Sequence, residues 1–204
     1  IIELVTNFKL VRYEYTSYEG NYKYVFKDSA FRDFLAASYL RKLLLSKEKD
    51  NIEIVSSFLA NNQDKLEFLR VIKFLSGLIT LINEGQEKKE IMVIFWRAIY
   101  SNPSNEFRID GYKKIEFIME LLSQSILEGK IDPLIPKEIL ERVDNAVISD
   151  IDKWKSIIIK SQYSSDRIFS FLLDSVDSAD LKLASVAISV LPFLNIRNQA
   201  SKEL

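Results

Sequence analysis

Hydrophobic residues over the first 28 positions recur with a period of two. Val11, Tyr13 and Tyr15, then Tyr22, Tyr24 and Phe26, alternate with Arg12, Glu14, Lys23 and Lys27 on either side of Thr16-Ser-Tyr-Glu-Gly-Asn21. That pattern predicts two strands joined by a turn, an N-terminal β-hairpin. Ahead of it, Ile2 to Phe8 reads as the last turns of a helix that begins outside the sequence.

From Asp28 onward the apolar spacing lengthens to between three and four, the period of an amphipathic helix. Phe31, Phe34, Leu35, Tyr39 and Leu43 are expected to share the packed face of the first helix, with Asp28 or Ser29 as its N-cap. Further helices are predicted at 52–61, 65–83, 87–101, 111–128, 137–148, 151–162, 165–175, 178–191 and 195–203. Asp64-Lys-Leu-Glu67 fits a capping box, and Pro136 suits a first helical position. Short connections predict a mainly α, antiparallel or stacked helical array. Its C-terminal part pairs Ile168, Phe171 and Leu172 with Leu181, Ala184, Val186, Ala187 and Leu191, as in HEAT-like units of an α-solenoid. The predicted divisions are 1–28 with the hairpin, 29–134 as a helical domain, and 135–204 as HEAT-like repeats.

Composition supports helices and removes most chemistry. Among 204 residues there are five Gly and four Pro, so helix breakers are scarce, and 48% of residues are hydrophobic, enough for a core. Histidine is absent, which excludes imidazole acid/base catalysis, Ser-His and Cys-His nucleophiles and His-containing zinc sites. Cysteine is absent too, which fits a reducing compartment and leads to a cytoplasmic expectation. The glycines at 20, 77, 85, 111 and 129 permit neither a phosphate loop nor a dinucleotide fingerprint, so no cofactor is expected. Asp150 and Asp152 are the closest carboxylate pair considered for metal work, and helix capping is the better reading.

Lys plus Arg total 28 against 29 Asp plus Glu, interspersed along the chain, which disfavours nucleic acid as a partner. The longest apolar stretch, Leu69 to Ile82, is interrupted by Arg70, Lys73 and Ser76 and is too short for a bilayer, so no membrane partner is expected. The aromatics Tyr18, Trp96, Tyr112, Trp154 and Tyr163 stand open between core, rim and interface. Because the sequence starts at Ile1 without Met, it is expected to be a piece of a longer chain.

One segment is more specific. Tyr24-Val-Phe-Lys-Asp-Ser-Ala-Phe-Arg-Asp-Phe-Leu-Ala-Ala-Ser-Tyr-Leu40 resembles the segment that follows the nucleotide-binding core in NACHT-type signalling NTPases of the STAND class. Phe26, Phe31, Phe34, Leu35, Ala36, Ala37, Tyr39 and Leu40 match the family pattern. Asp33 is a conservative stand-in for Glu, and Arg32 replaces Gln. Asp28 occupies the position where the family has a His that lies close to the nucleotide phosphates, so the resemblance does not carry direct nucleotide sensing over to this chain. Arg70-Val-Ile-Lys-Phe-Leu-Ser-Gly-Leu-Ile79 is similar to a Phe-Leu-x-Gly-Leu stretch found one helix pair downstream, and the hairpin resembles the wing of the family's winged-helix module.

The resemblance covers about the first 80 residues. It implies a non-catalytic sensor or scaffold fragment, with an upstream nucleotide-binding domain of the same chain and an unidentified protein ligand as partners. Independently of the family, Phe26, Phe31 and Phe34 are expected to form one aromatic cluster that locks the hairpin to the helix. Two rivals from other classes are a helical-repeat nucleic-acid-binding module, which needs a Lys/Arg stripe, and an oxygen-ligand metal hydrolase, which needs several converging carboxylates.

Overall fold

A computed structural model describes residues 11–16, 21–63, 65–100, 112–127, 130–161 and 163–200. The chain is mainly helical. The described helices are α1 (Ser29–Leu45), α2 (Lys49–Asn62), α3 (Leu66–Thr80), α4 (Gln86–Tyr100), α5 (Tyr112–Gln124), α6 (Lys137–Ser149), α7 (Ile151–Ser161), α8 (Asp166–Ser175) and α9 (Leu181–Ala200). Ahead of them, the backbone of β1 (Val11–Thr16) pairs antiparallel with β2 (Asn21–Phe26), Val11 opposite Phe26 and Thr16 opposite Asn21. Residues 17–20, where the expected turn falls, and the helical turns expected at 2–8 lie outside the described residues. A second antiparallel pair, β3 (Ile126–Leu127) with β4 (Lys130–Ile131), was not anticipated; the helix expected to reach 128 ends at Gln124 instead.

Packing follows an alternating rule. The odd-numbered helices stack as α1 on α3, α3 on α5, α5 on α7 and α7 on α9; α2 stacks on α4, and α6 on α8. Sequence neighbours therefore lie in two different layers, while next-but-one neighbours share a layer. A single buried cluster runs from Ala37 in α1 to Leu194 in α9. Helix α5 is deeply buried: Ile115, Phe117, Ile118, Met119, Leu121 and Leu122 are all inside, as expected for a helix with stacked neighbours on both sides.

The helix starts largely follow their sequence signals. The Asp28 carboxylate accepts the Ala30 N–H at 2.7 Å and so caps α1. Ser165 Oγ caps α8 by accepting the Ile168 N–H at 3.1 Å. Helix α3 is entered through Lys65, which makes no side-chain cap, while Asp64 of the expected capping box lies outside the described residues. Pro136 stands at the N-cap of α6, one position before its expected place.

Two expectations are corrected. The packed face of α1 is Asp33, Ala37, Leu40 and Leu44; Phe34 is 39% and Tyr39 61% exposed. Aromatics mark the flank of this helix because small Ala37 at the centre of the buried stripe brings α3 close. The two C-terminal helices expected at 178–191 and 195–203 are one helix, α9, running through Pro192. Pro192 faces solvent, and so does Ile188, whose carbonyl the missing N–H would have bonded; water can satisfy it there. Trp96, Trp154 and Tyr163 resolve as core.

Candidate functional site

The two segments that carry the family resemblance meet across the α1–α3 seam. Asp33, in the first turns of α1, is buried although it is a carboxylate. Its Oδ1 accepts from Arg32 Nε at 2.9 Å and Nη2 at 2.8 Å, and its Oδ2 lies 3.6 Å from Arg70 Nη1 on α3. The same Arg70 nitrogen donates to Ser29 Oγ at 3.1 Å. Ser29 is thus a receptor for α3, while Asp28 does the capping. Two guanidiniums around one carboxylate offset the cost of removing it from water, and both stay half-exposed to keep their own hydration.

Aromatic contacts frame this ion cluster. Phe26, at the end of β2, lies 6.4 Å from Phe31 with the rings tilted by 53°. Phe34 meets Phe74 of α3 edge-to-face at 5.8 Å. The expected single cluster of Phe26, Phe31 and Phe34 is therefore two pairs with different jobs: one ties β2 to α1, the other ties α1 to α3. Leu35 is half-buried, Ala36 exposed, Ala37 fully buried and Leu40 buried, so the motif positions divide between the core and the outer flank. Both segments stand out in the sequence but their partnership does not; its one signal there is the opposite charge of Asp33 and Arg70.

Similar ion pairs cross every seam of the odd layer. Lys73 on α3 pairs with Glu120 on α5, and Lys160 on α7 lies 3.3 Å from Glu120 and 3.8 Å from Glu116. Lys182 on α9 bonds Asp152 on α7 at 2.8 Å. Burial alone would push the Glu120 carboxyl up, but Lys73 and Lys160 together outweigh it and hold the group below its ordinary value. Asp152 is also held low, by its bond and charge interaction with Lys182. Among the described residues the basic groups thus alternate with acidic partners along this layer, with no Lys/Arg stripe at its seams.

The even layer uses deeper polar contacts. Lys88, at the start of α4, and Asp132, between β4 and α6, are both about fully buried and lie 2.7 Å apart. Asp132 Oδ1 also accepts the Leu134 N–H at 3.0 Å, whereas Oδ2 has no partner besides the Lys88 ammonium. Tyr163, between α7 and α8, donates to Asp144 Oδ1 on α6 at 3.1 Å. Burial pushes the Asp144 carboxyl up, against the bonds from Ser165 and Tyr163 and the charge of Arg167; burial beside Asp144 pushes the Tyr163 hydroxyl up as well.

Among the described residues no group of three Asp, Glu, His or Cys side chains converges to hold a metal ion. Asp150 ends α6 and leads into α7, and Asp152 lies in the first turn of α7. No helix among the described residues is long and apolar enough to cross a membrane. Comparison with protein-family models, with curated proteins and with solved structures finds no match.

Proposed function

We propose that this chain is a non-catalytic helical segment of a NACHT-type signalling NTPase, lying C-terminal to the nucleotide-binding core. In this reading 1–28 ends a winged-helix module, 29–134 is a helical domain, and 135–204 is a HEAT-like region that receives a protein partner in the cytoplasm. The observation that carries it is the α1–α3 seam. The two stretches that resemble the family, far apart in sequence, are the two that bind each other through Asp33–Arg70, Ser29–Arg70 and Phe34–Phe74. Strand β2 joins the same corner through Phe26 and Phe31. A rotation of an upstream module would reach the helical array through this corner, because stacked helices move as rigid elements on their seams.

A partner bound to the array shifts an upstream equilibrium only through differential affinity, and about 1.4 kcal/mol of preference is a tenfold response. A nucleic-acid module is less well supported, since the interhelical basic groups are paired with acidic ones. The test uses the intact polypeptide, extended upstream of Ile1. A Gly-x-x-x-x-Gly-Lys phosphate loop must be present there, and Arg70→Ala should leave nucleotide affinity unchanged while altering the stimulus response. An upstream sequence without a phosphate loop would sink the reading.

A further inference from the structure

The helical array divides at one place. Helices α1–α5 and α6–α9 meet chiefly through α5, which packs on both α6 and α7. In the even layer α2 stacks on α4 and α6 on α8, but among the described residues no comparable stack joins α4 to α6. On that side the angle between the two blocks falls to the turn that follows β4, Asp132-Pro-Leu-Ile-Pro136.

This turn is stiff. Pro133 and Pro136 have fixed φ, and the residues before them, Asp132 and Ile135, are steered away from helical backbone. Within the turn the Asp132 carbonyl accepts the Ile135 N–H at 3.1 Å, and Asp132 Oδ1 accepts the Leu134 N–H at 3.0 Å. Pro136 is already the N-cap of α6, so the turn works as a short arm that carries this helix. Asp132 holds the arm at two points. Its N–H donates to the Ser125 carbonyl, just past the end of α5, at 3.1 Å, and its Oδ2 lies 2.7 Å from Lys88 Nζ on α4. The first contact fixes the position of the arm and the second its direction.

Lys88 is poorly placed for helix stability. It is 1% exposed and stands in the first turn of α4, where free N–H groups disfavour a cation. A buried ion pair adds little stability over an apolar pair of like volume, and what it supplies is a directed contact. Glu84 Oε1 lies 4.0 Å from the same ammonium on a side chain that is 85% exposed, so Lys88 has a second carboxylate on its own block when Asp132 departs. We propose that Lys88–Asp132 is the releasable pin of a joint between the two blocks. Closed, it fixes the angle of α6 against α4; released to Glu84, it lets α6–α9 swing on the α5 seams and changes the curvature of the array.

The experiment measures a distance across the joint. Because the chain has no cysteine, spin labels go on Val93→Cys in α4 and Asn145→Cys in α6, both exposed positions. Ser57→Cys with Val93→Cys, and Asn145→Cys with Leu173→Cys, are the pairs inside each block. In the parent all of these distance distributions should be narrow. Lys88→Met combined with Asp132→Asn removes both charges and strands neither. It should widen the α4–α6 distribution about twofold or more, with both distributions inside the blocks and the helical circular dichroism unchanged. A pair that only stabilised the fold would leave that distance unmoved. An α4–α6 distribution as narrow as the parent's, or an equal widening inside a block, would overturn the proposal. Release is read on the unlabelled parent by amine acylation, with exposed Lys89 as the internal standard. In urea below the unfolding transition, Lys88 should gain about tenfold in reactivity relative to Lys89 while ellipticity stays native. Reaction of Lys88 only together with global unfolding would overturn the proposal as well. Both readouts use the 204-residue chain, so neither turns on the signalling reading.

Discussion

Two glycines show how much a single residue contributes and in which direction. Gly77 sits inside α3, and an added Cβ would meet Gln124 O at 3.9 Å and Gln124 Cβ at 4.0 Å, ordinary contact distances. Gly77→Ala should therefore raise stability by about 0.5–1 kcal/mol, the helix-interior cost of glycine, in urea unfolding. Gly85 precedes α4 with φ +153, a backbone conformation that L-residues rarely adopt. Gly85→Ala should lower stability by about 1 kcal/mol or more, and a gain would show that the backbone there is free to relax. The helices predicted at 65–83 and 87–101 already separate the two, with Gly77 inside one and Gly85 between them, but the backbone angle that fixes the sign at Gly85 is not written in the sequence.

Asp144 allows a sharper test at the same scale. Its folded pKa is raised above 3.8 by burial, so its favourable contribution is complete below that value and is lost as pH rises through the folded value. Asp144→Asn keeps an acceptor for the Tyr163 hydroxyl and removes the charge, so it should flatten this loss and be at least as stable as the parent at pH 7. Asp144→Ala should instead destabilise by about 1–3 kcal/mol at all pH values, because it strands a buried hydroxyl. Equal effects of Asn and Ala, measured by thermal melts from pH 3 to 8, would rule the account out.

At the scale of elements, the short β3–β4 ladder takes the place of continuous helix between α5 and α6, and the Lys88–Asp132 pair anchors it to α4. Lys88→Met leaves a buried carboxylate without a cation and should cost about 3–5 kcal/mol. Adding Asp132→Asn, which keeps the bond to the Leu134 N–H, should recover most of that loss; a double variant as weak as the single would mean the lysine acts through packing alone. Most helices were legible from apolar spacing because burial in a stacked array repeats every three to four residues. The break expected near Pro192 was not real, since an exposed proline can be tolerated on the solvent side of a helix. The face of α1 departs from its aromatic pattern for a related reason: residue size does not report burial, and close packing selects Ala37 and leaves Tyr39 outside.

For the whole molecule, Glu120 is the point where three odd-layer helices exchange charge. Its folded pKa lies below 4.5, so the stability it confers is present above 4.5 and is lost as pH falls through the folded value. Glu120→Gln should remove that acid-side loss and lower stability at pH 7; an unchanged acid limb would show that Lys73 and Lys160 do not act through it. The candidate site was half legible: its residues stood in the sequence, but the meeting of Asp33 with Arg70 is a property of the stacking. Charges that pair across seams leave no local pattern, because their separation in sequence is set by loop lengths.

The alternating stack has a mechanical consequence. Each helix of the odd layer holds on to the layer only through its immediate neighbours, so tension applied between Asp28 and Ala200 is borne by the seams in series, as in a chain of links. The molecule should lengthen by peeling helices from an end, α9 first, where Leu181 and Ile188 leave one side of the helix exposed, and the pulling curve should show several small rips instead of one large event. Such a body behaves as a spring whose slack sits at its edge.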